Sequence, residues 1–185
     1  MMNIIIRIVT LQHVPILGLP LIHSQNRQRH HQRFRPRRGQ AYKYSNLAFV
    51  SLANVTFSKA ERDFLDKNEA CRIATCHDAV PHVVPVSYIF EDDTFYIATD
   101  YETRKYENIK HNKMVALVVD VYNSVDNKAV CLQGTAEIVE RGEEFARLYK
   151  MFYERFDWVR QDPWMEGEAP FVRVSPRNKV SWGMG

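Results

Sequence analysis

One segment places residues of chemically useful types side by side. Tyr96-Ile97-Ala98-Thr99 reads as the end of a strand and Asp100-Tyr101-Glu102 as a short loop. Thr103-Arg104-Lys105 then opens a helix that continues through Tyr106 and Ile109 to His111. The first amides of a helix have no intrahelical partners and carry the positive end of its dipole. A hydroxyl and two adjacent cations at that point add further donors, two of them charge-assisted. The pattern suits a phosphate group. It equally suits an ordinary helix start with solvated charges, and these residues by themselves leave both readings open.

Other constellations are weaker. Cys71 and Cys76 lie close together, Cys131 is distant, and no His stands at ligand spacing from them, so no metal site is expected. Three Cys are too few and too odd in number for a disulfide framework, and they read as reduced, buried thiols. His77, His82 and His111 are scattered and read as turn or surface residues. There is no G-x-S-x-G, no Walker loop and no G-x-G-x-x-G, so no catalytic nucleophile is expected.

The elements that must position Thr103 to Lys105 can be read from periodicity. Ser58-Lys59-Ala60-Glu61 has the form of a capping box and starts a helix over 58–68. The period then changes to two. Strands are expected at 71–76, 82–90 and 94–99, with turns at His77–Val80 and Glu91–Asp93. Pro85 marks an edge or bulge position. Met114 to Tyr122 is nearly continuously apolar, as in a strand buried on both faces, and Lys128 to Glu140 is another strand. Phe145, Leu148, Tyr149, Phe152 and Phe156 recur at helical steps, giving an amphipathic helix over 143–156. Asp157 to Gly167 reads as a loop, and 171–174 and 179–182 as final short strands. About six strands, mostly consecutive, with three helices make a mainly β (α+β), antiparallel fold. A closed or partly closed barrel is the economical arrangement.

Charge divides the 185 residues unequally. Residues 1–57 hold eight of the 25 Lys and Arg and none of the 22 Asp and Glu. The net charge of +3 therefore joins a basic extension to an acidic remainder. The apolar start, Met1 to Ser24, contains Arg7 and lacks an A-x-A-like cleavage site, which argues against secretion. Gln12, His13, Pro15, Pro20 and His23 weaken the uncharged stretch from Ile8 to Gln25 as a membrane span. The arginines from Arg27 to Arg38 read as a solvated, self-repelling tail; phosphate or acidic-membrane contact and a later translation start are the other readings. The expected division is a disordered basic extension over 1–55 and a folded domain over 56–185. A cytoplasmic location with neither nucleic-acid nor membrane partner is expected.

Several short motifs, in order, carry a resemblance. They are Arg72-Ile73-Ala74-Thr75, Pro81 to Tyr88, Phe95 to Thr99, Thr103-Arg104-Lys105, Asn108-Ile109 through Asn112 to Asp120, and Gln133 to Glu137. Together they resemble the pyridoxamine-phosphate-oxidase-like, flavin-binding split barrels over roughly 58–182. The resemblance implies a six-stranded split β-barrel working as a homodimer, with FMN or the deazaflavin coenzyme between subunits. It implies that Arg72, Thr103, Arg104 and Lys105 hold the phosphate and that Pro85, Val86 and Ser87 pass along the isoalloxazine ring. Ala98 and Thr99 would line the ribityl and phosphate end, and Gln133 and Trp182 would reach in from the partner chain. The resemblance implies a small-molecule substrate, and the ending Ser175 to Gly183, which lacks the Arg-rich terminus of true pyridoxamine-phosphate oxidases, puts the vitamin in doubt as that substrate and leaves it unassigned. The implied activity is flavin-dependent hydride transfer on that substrate. The alternative is a non-catalytic flavin- or haem-binding stress or regulatory protein of the same fold.

Overall fold

The computed structural model describes residues 55–123 and 125–184. Apart from Val55, the basic extension expected over 1–55 lies outside the described residues.

Helix α1 (Lys59–Lys67) opens the domain. Its capping box is formed in full: the Ser58 amide donates to Glu61 Oε2 at 2.7 Å, and the Glu61 amide donates to Ser58 Oγ at 3.2 Å. Strands β1 (Ala70–His77), β2 (Val80–Glu91) and β3 (Thr94–Ala98) follow as two hairpins. Each hairpin turns on two residues in the left-handed region, Asp78 and Ala79, then Asp92 and Asp93. That geometry matches the right-handed twist of paired strands. Helix α2 (Arg104–His111) leads to β4 (Met114–Tyr122) and β5 (Asn127–Val139). Helix α3 (Gly142–Arg155), the short α4 (Asp157–Gln161) and β6 (Phe171–Trp182) complete the chain.

The strands close into an antiparallel barrel in the order β1-β2-β3-β6-β5-β4. Period-two alternation sends Cys71, Ile73, Phe95, Ile97, Leu117 and Val130 inward, where they form the core with Leu65 of α1 and Ile109 of α2. On the outside of β2 and β3, Ile89 and Tyr96 form a second apolar cluster with Phe145, Leu148 and Phe152 of α3.

Two differences from the sequence expectation have local causes. The stretch expected as a loop contains α4, which buries Val159 and is held by the Arg160–Asp157 ion pair. The two short strands expected after residue 171 are one long strand, β6, bent by an irregularity opposite Gln133 and Gly134. Gly134 is needed at that bend, because a Cβ there would meet the Ser175 carbonyl oxygen at 2.7 Å.

Pro85 lies in the part of β2 that pairs with β1 alone, since the β2–β3 ladder begins only at Tyr88↔Ile97. The Tyr88 amide donates to the Glu69 carbonyl at 3.1 Å. With the register of that ladder, even-numbered residues of β2 bond to β1 and odd-numbered ones face away. Pro81 and Pro85 thus both stand where an N–H would point to the open edge, the position a proline tolerates.

Candidate functional site

The loop between β3 and α2 is held by its own backbone and hydroxyls. Thr99 is buried, and its amide donates to the Pro170 carbonyl at 3.0 Å. Thr103 is the N-cap of α2 and accepts from the Tyr106 amide at 3.4 Å. The Thr103 hydroxyl donates to the Asp100 carbonyl at 2.8 Å and lies 3.0 Å from the Thr99 hydroxyl. On this pattern Thr99 donates to Thr103, so both hydroxyl protons are committed within the loop.

What faces outward is the start of α2. The Arg104 and Lys105 amides donate to no protein acceptor among the described residues. Arg104 is exposed, whereas Lys105 is half-buried. Burial pushes the Lys105 ammonium below its usual range, and nearby Asp100 offsets only part of that. Neither Arg104 nor Lys105 has a carboxylate within ion-pair distance among the described residues. A partly desolvated cation without a counter-ion, beside two free amides at a dipole's positive end, is complementary to an anion. This donor set fits the phosphate end of a flavin cofactor.

Thr99, Thr103, Arg104 and Lys105 thus come together. Ala98, at the end of β3, is half-buried against the second apolar cluster. Arg72, Pro85 and Ser87 lie on the outer face of β1 and β2, where Arg72 pairs with Pro85 in register and forms an ion pair with Asp120 of β4. Val86 points the other way and packs against the core. Gln133 is exposed on the same outer face, accepting from Asn178 Nδ2 at 3.0 Å. Trp182 lies at the end of β6, its indole N–H donating to Asn127 Oδ1 at 2.8 Å.

Three apolar side chains stand exposed on the outer face of the barrel. Val83 of β2 is 62% exposed, Val180 of β6 57% and Met114 of β4 44%. Two cavities of the single chain lie elsewhere, one of 420 Å³ beside Lys110 and Lys113 and one of 330 Å³ between Ile89 and Arg155. Neither is lined by Thr103, Arg104 or Lys105.

Sequence reasoning left some structural partners of the site unassigned. Asn108 and Asn112 of α2 reach Thr75 and Cys76 of β1, and the Tyr106 hydroxyl donates to Glu140 at 3.1 Å. Asp120, the partner of Arg72, is far along the chain and has no local signal. The one available cue was a pair of asparagines a turn apart in a short helix, where asparagine is disfavoured unless its amide is used.

Among the described residues no three or more His, Cys, Asp or Glu are placed to hold a metal ion. No helix among them is long and apolar enough to cross a membrane.

Comparison with protein families finds that the model for pyridoxamine 5'-phosphate oxidase matches residues 57–178. Comparison with the curated proteins finds no match. Among solved structures, a conserved hypothetical protein of Mycobacterium tuberculosis is 26% identical, with a TM-score of 0.59, over 71% of this chain and 88% of its own. A FAD-binding protein of Mesorhizobium loti is 22% identical, with a TM-score of 0.55, over 68% of this chain and 94% of its own. The haem storage protein HutZ of Vibrio cholerae is 15% identical, with a TM-score of 0.57, over 66% of this chain and 90% of its own.

Proposed function

Since the chain belongs to the pyridoxamine 5'-phosphate oxidase family, we propose that it is a flavin-binding oxidoreductase whose cofactor phosphate rests on the start of α2. The observation that carries this reading is Lys105, half-buried and, among the described residues, without an ion-pair partner, beside the Arg104 and Lys105 amides that meet no acceptor there. FMN is the proposed cofactor, with the deazaflavin coenzyme as the alternative. When bound, a flavin supplies hydride transfer, and the protein supplies position and electrostatics.

Each residue then has a task of binding or orientation. Lys105 and Arg104 neutralise the phosphate, and their amides hold it at the dipole end. Thr99 and Thr103 keep the loop in the shape that presents those amides. Arg72, oriented by its ion pair with Asp120, offers its remaining guanidinium N–H donors on the outer face. Pro85 and Ser87 line the ring through the open edge of β2, Val86 between them is turned into the core and bonded to β1 and so only holds their spacing, and Ala98 closes the ribityl side. Gln133 and Trp182 serve the partner's site.

A homodimer is part of this reading, as the resemblance to the flavin-binding split barrels implies. The apolar outer face with Val83, Met114 and Val180 is the proposed subunit contact. The free thiols Cys71, Cys76 and Cys131 fit a reducing compartment such as the cytoplasm.

The decisive variant is R104A/K105A. Two charge-assisted contacts are removed, so FMN should bind about a hundredfold more weakly or worse, with the far-UV spectrum and melting temperature retained. FMN fluorescence quenching measures the first and thermal melting the second. Unchanged FMN affinity would remove the phosphate assignment. A second reading rests on the likeness to a haem storage protein: binding without turnover. A haem absorption band, or bound flavin that reduced nicotinamide does not bleach, would favour it.

A further inference from the structure

Helix α2 carries the proposed phosphate cradle, yet it has little to hold it by apolar packing. Eight residues long, it buries only Asn108 and Ile109. Besides the stacking of His111 on His77 of β1, with ring centroids 4.2 Å apart, its remaining attachments are polar and directed. Asn108 is 4% exposed and donates from Nδ2 to Thr75 Oγ1 at 2.9 Å. Thr75 is itself 3% exposed, on the inward face of β1. Four residues on, Asn112 donates from Nδ2 to the Cys76 carbonyl at 3.0 Å, and its Oδ1 accepts from the Met114 amide at 3.0 Å. Two asparagines one turn apart thus grip two successive residues of β1, and the Asn108–Thr75 pair is enclosed by the barrel core.

We infer that Asn108 and Thr75 are positioning residues for the cofactor site: their bond fixes the rotation and axial setting of α2, and so the direction of the Arg104 and Lys105 donors. This rests on the flavin-phosphate reading above. The physical case is one of specificity. A buried hydrogen-bonded pair adds little net stability over well-packed apolar groups of similar shape. What such a pair does well is select one register among several that packing alone would permit. A short helix with one buried aliphatic anchor, Ile109, is the kind of element that needs that selection. The direction of two amides and two cations is also the kind of property that a small rotation spoils.

The test separates binding from stability. In N108L/T75V both polar partners are replaced together, so no buried group is left unpaired. Thermal melting should stay within a few degrees of the unaltered chain. FMN affinity, read by fluorescence quenching, should fall about tenfold or more. T75S, which keeps the hydroxyl, should bind FMN as the unaltered chain does. If N108L/T75V does not fold, T75V alone carries the same comparison, because it removes the acceptor of the Asn108 amide and leaves the rest of α2 unchanged. Full FMN affinity in the variant that folds overturns the inference, as does a loss of affinity that only tracks a loss of melting temperature. Failure of the unaltered chain to bind any flavin phosphate overturns the cofactor reading, and this inference with it. Binding by the unaltered chain and the altered one alike overturns the inference alone.

Discussion

Glu61 shows how one side chain can join two parts of the fold. It is 4% exposed, and burial alone would push its carboxyl upward. Hydrogen bonds from Lys179, Ser181 and the Ser58 amide outweigh that and hold it at about 2. A carboxylate lowered on folding stabilises the native state above its unfolded value near 4.5, and the contribution is lost as pH falls through about 2. The shift corresponds to about 3 kcal/mol at neutral pH. Urea unfolding at pH 7 and pH 3 should show a loss in the parent protein, while E61Q, already weaker at pH 7 because Lys179 loses its counter-ion, should change less between the two. Equal pH sensitivity would exclude Glu61 as the source. The Ser58–Glu61 box was visible in the sequence because its partners are three residues apart. Lys179 and Ser181 were not, because they arrive from the far end of the barrel. The same contrast separates Thr103-Arg104-Lys105, a contiguous run, from Arg72–Asp120 and Asn108–Thr75, which exist only once strands and helix have docked.

At the scale of elements, periodicity located every strand, while the ends and irregularities escaped it. The change to period two after α1 and the apolar run of β4 located their strands, but β4 is not buried on both faces as its sequence suggests: only the alternate residues Val115, Leu117 and Val119 are buried, because one face of a barrel strand looks outward. The bend in β6 arises from its pairing with Gly134, and no property of residues 171–182 alone encodes it. The first hairpin turn is a case where sequence and geometry disagree. Ala79 adopts φ 57, a conformation that costs a residue with a Cβ about 1–2 kcal/mol and glycine almost nothing. It is exposed, so nothing else depends on its methyl group. A79G should therefore stabilise the domain by about 0.5–1 kcal/mol after the extra chain entropy of glycine is subtracted. The midpoint of urea unfolding should rise with an unchanged slope, and a fall would show that the turn is not strained there.

For the whole molecule, the division of charge and the division of surface matter more than their totals. The acidic domain gathers at the start of α2 two cations that have no counter-ion among the described residues, and Val83, Met114 and Val180 stand exposed on its outer face. If that face is the subunit contact, V83K/V180K places a charge on each of two of its strands. Light scattering should then report a monomer, and FMN affinity should fall with dimer loss if, as proposed, the site spans both chains. A dimer that persists in V83K/V180K would move the contact to another surface. The paired prolines of β2 bear on how such chains can meet at all. An open strand edge is a template on which further copies can grow without limit. Pro81 and Pro85 remove two of the outward amides from the stretch Val80 to Ser87, so an arriving strand finds no continuous ladder to extend. Fibre growth along that edge, which has no natural end, is thereby disfavoured, whereas the face-to-face contact proposed for the dimer closes on itself.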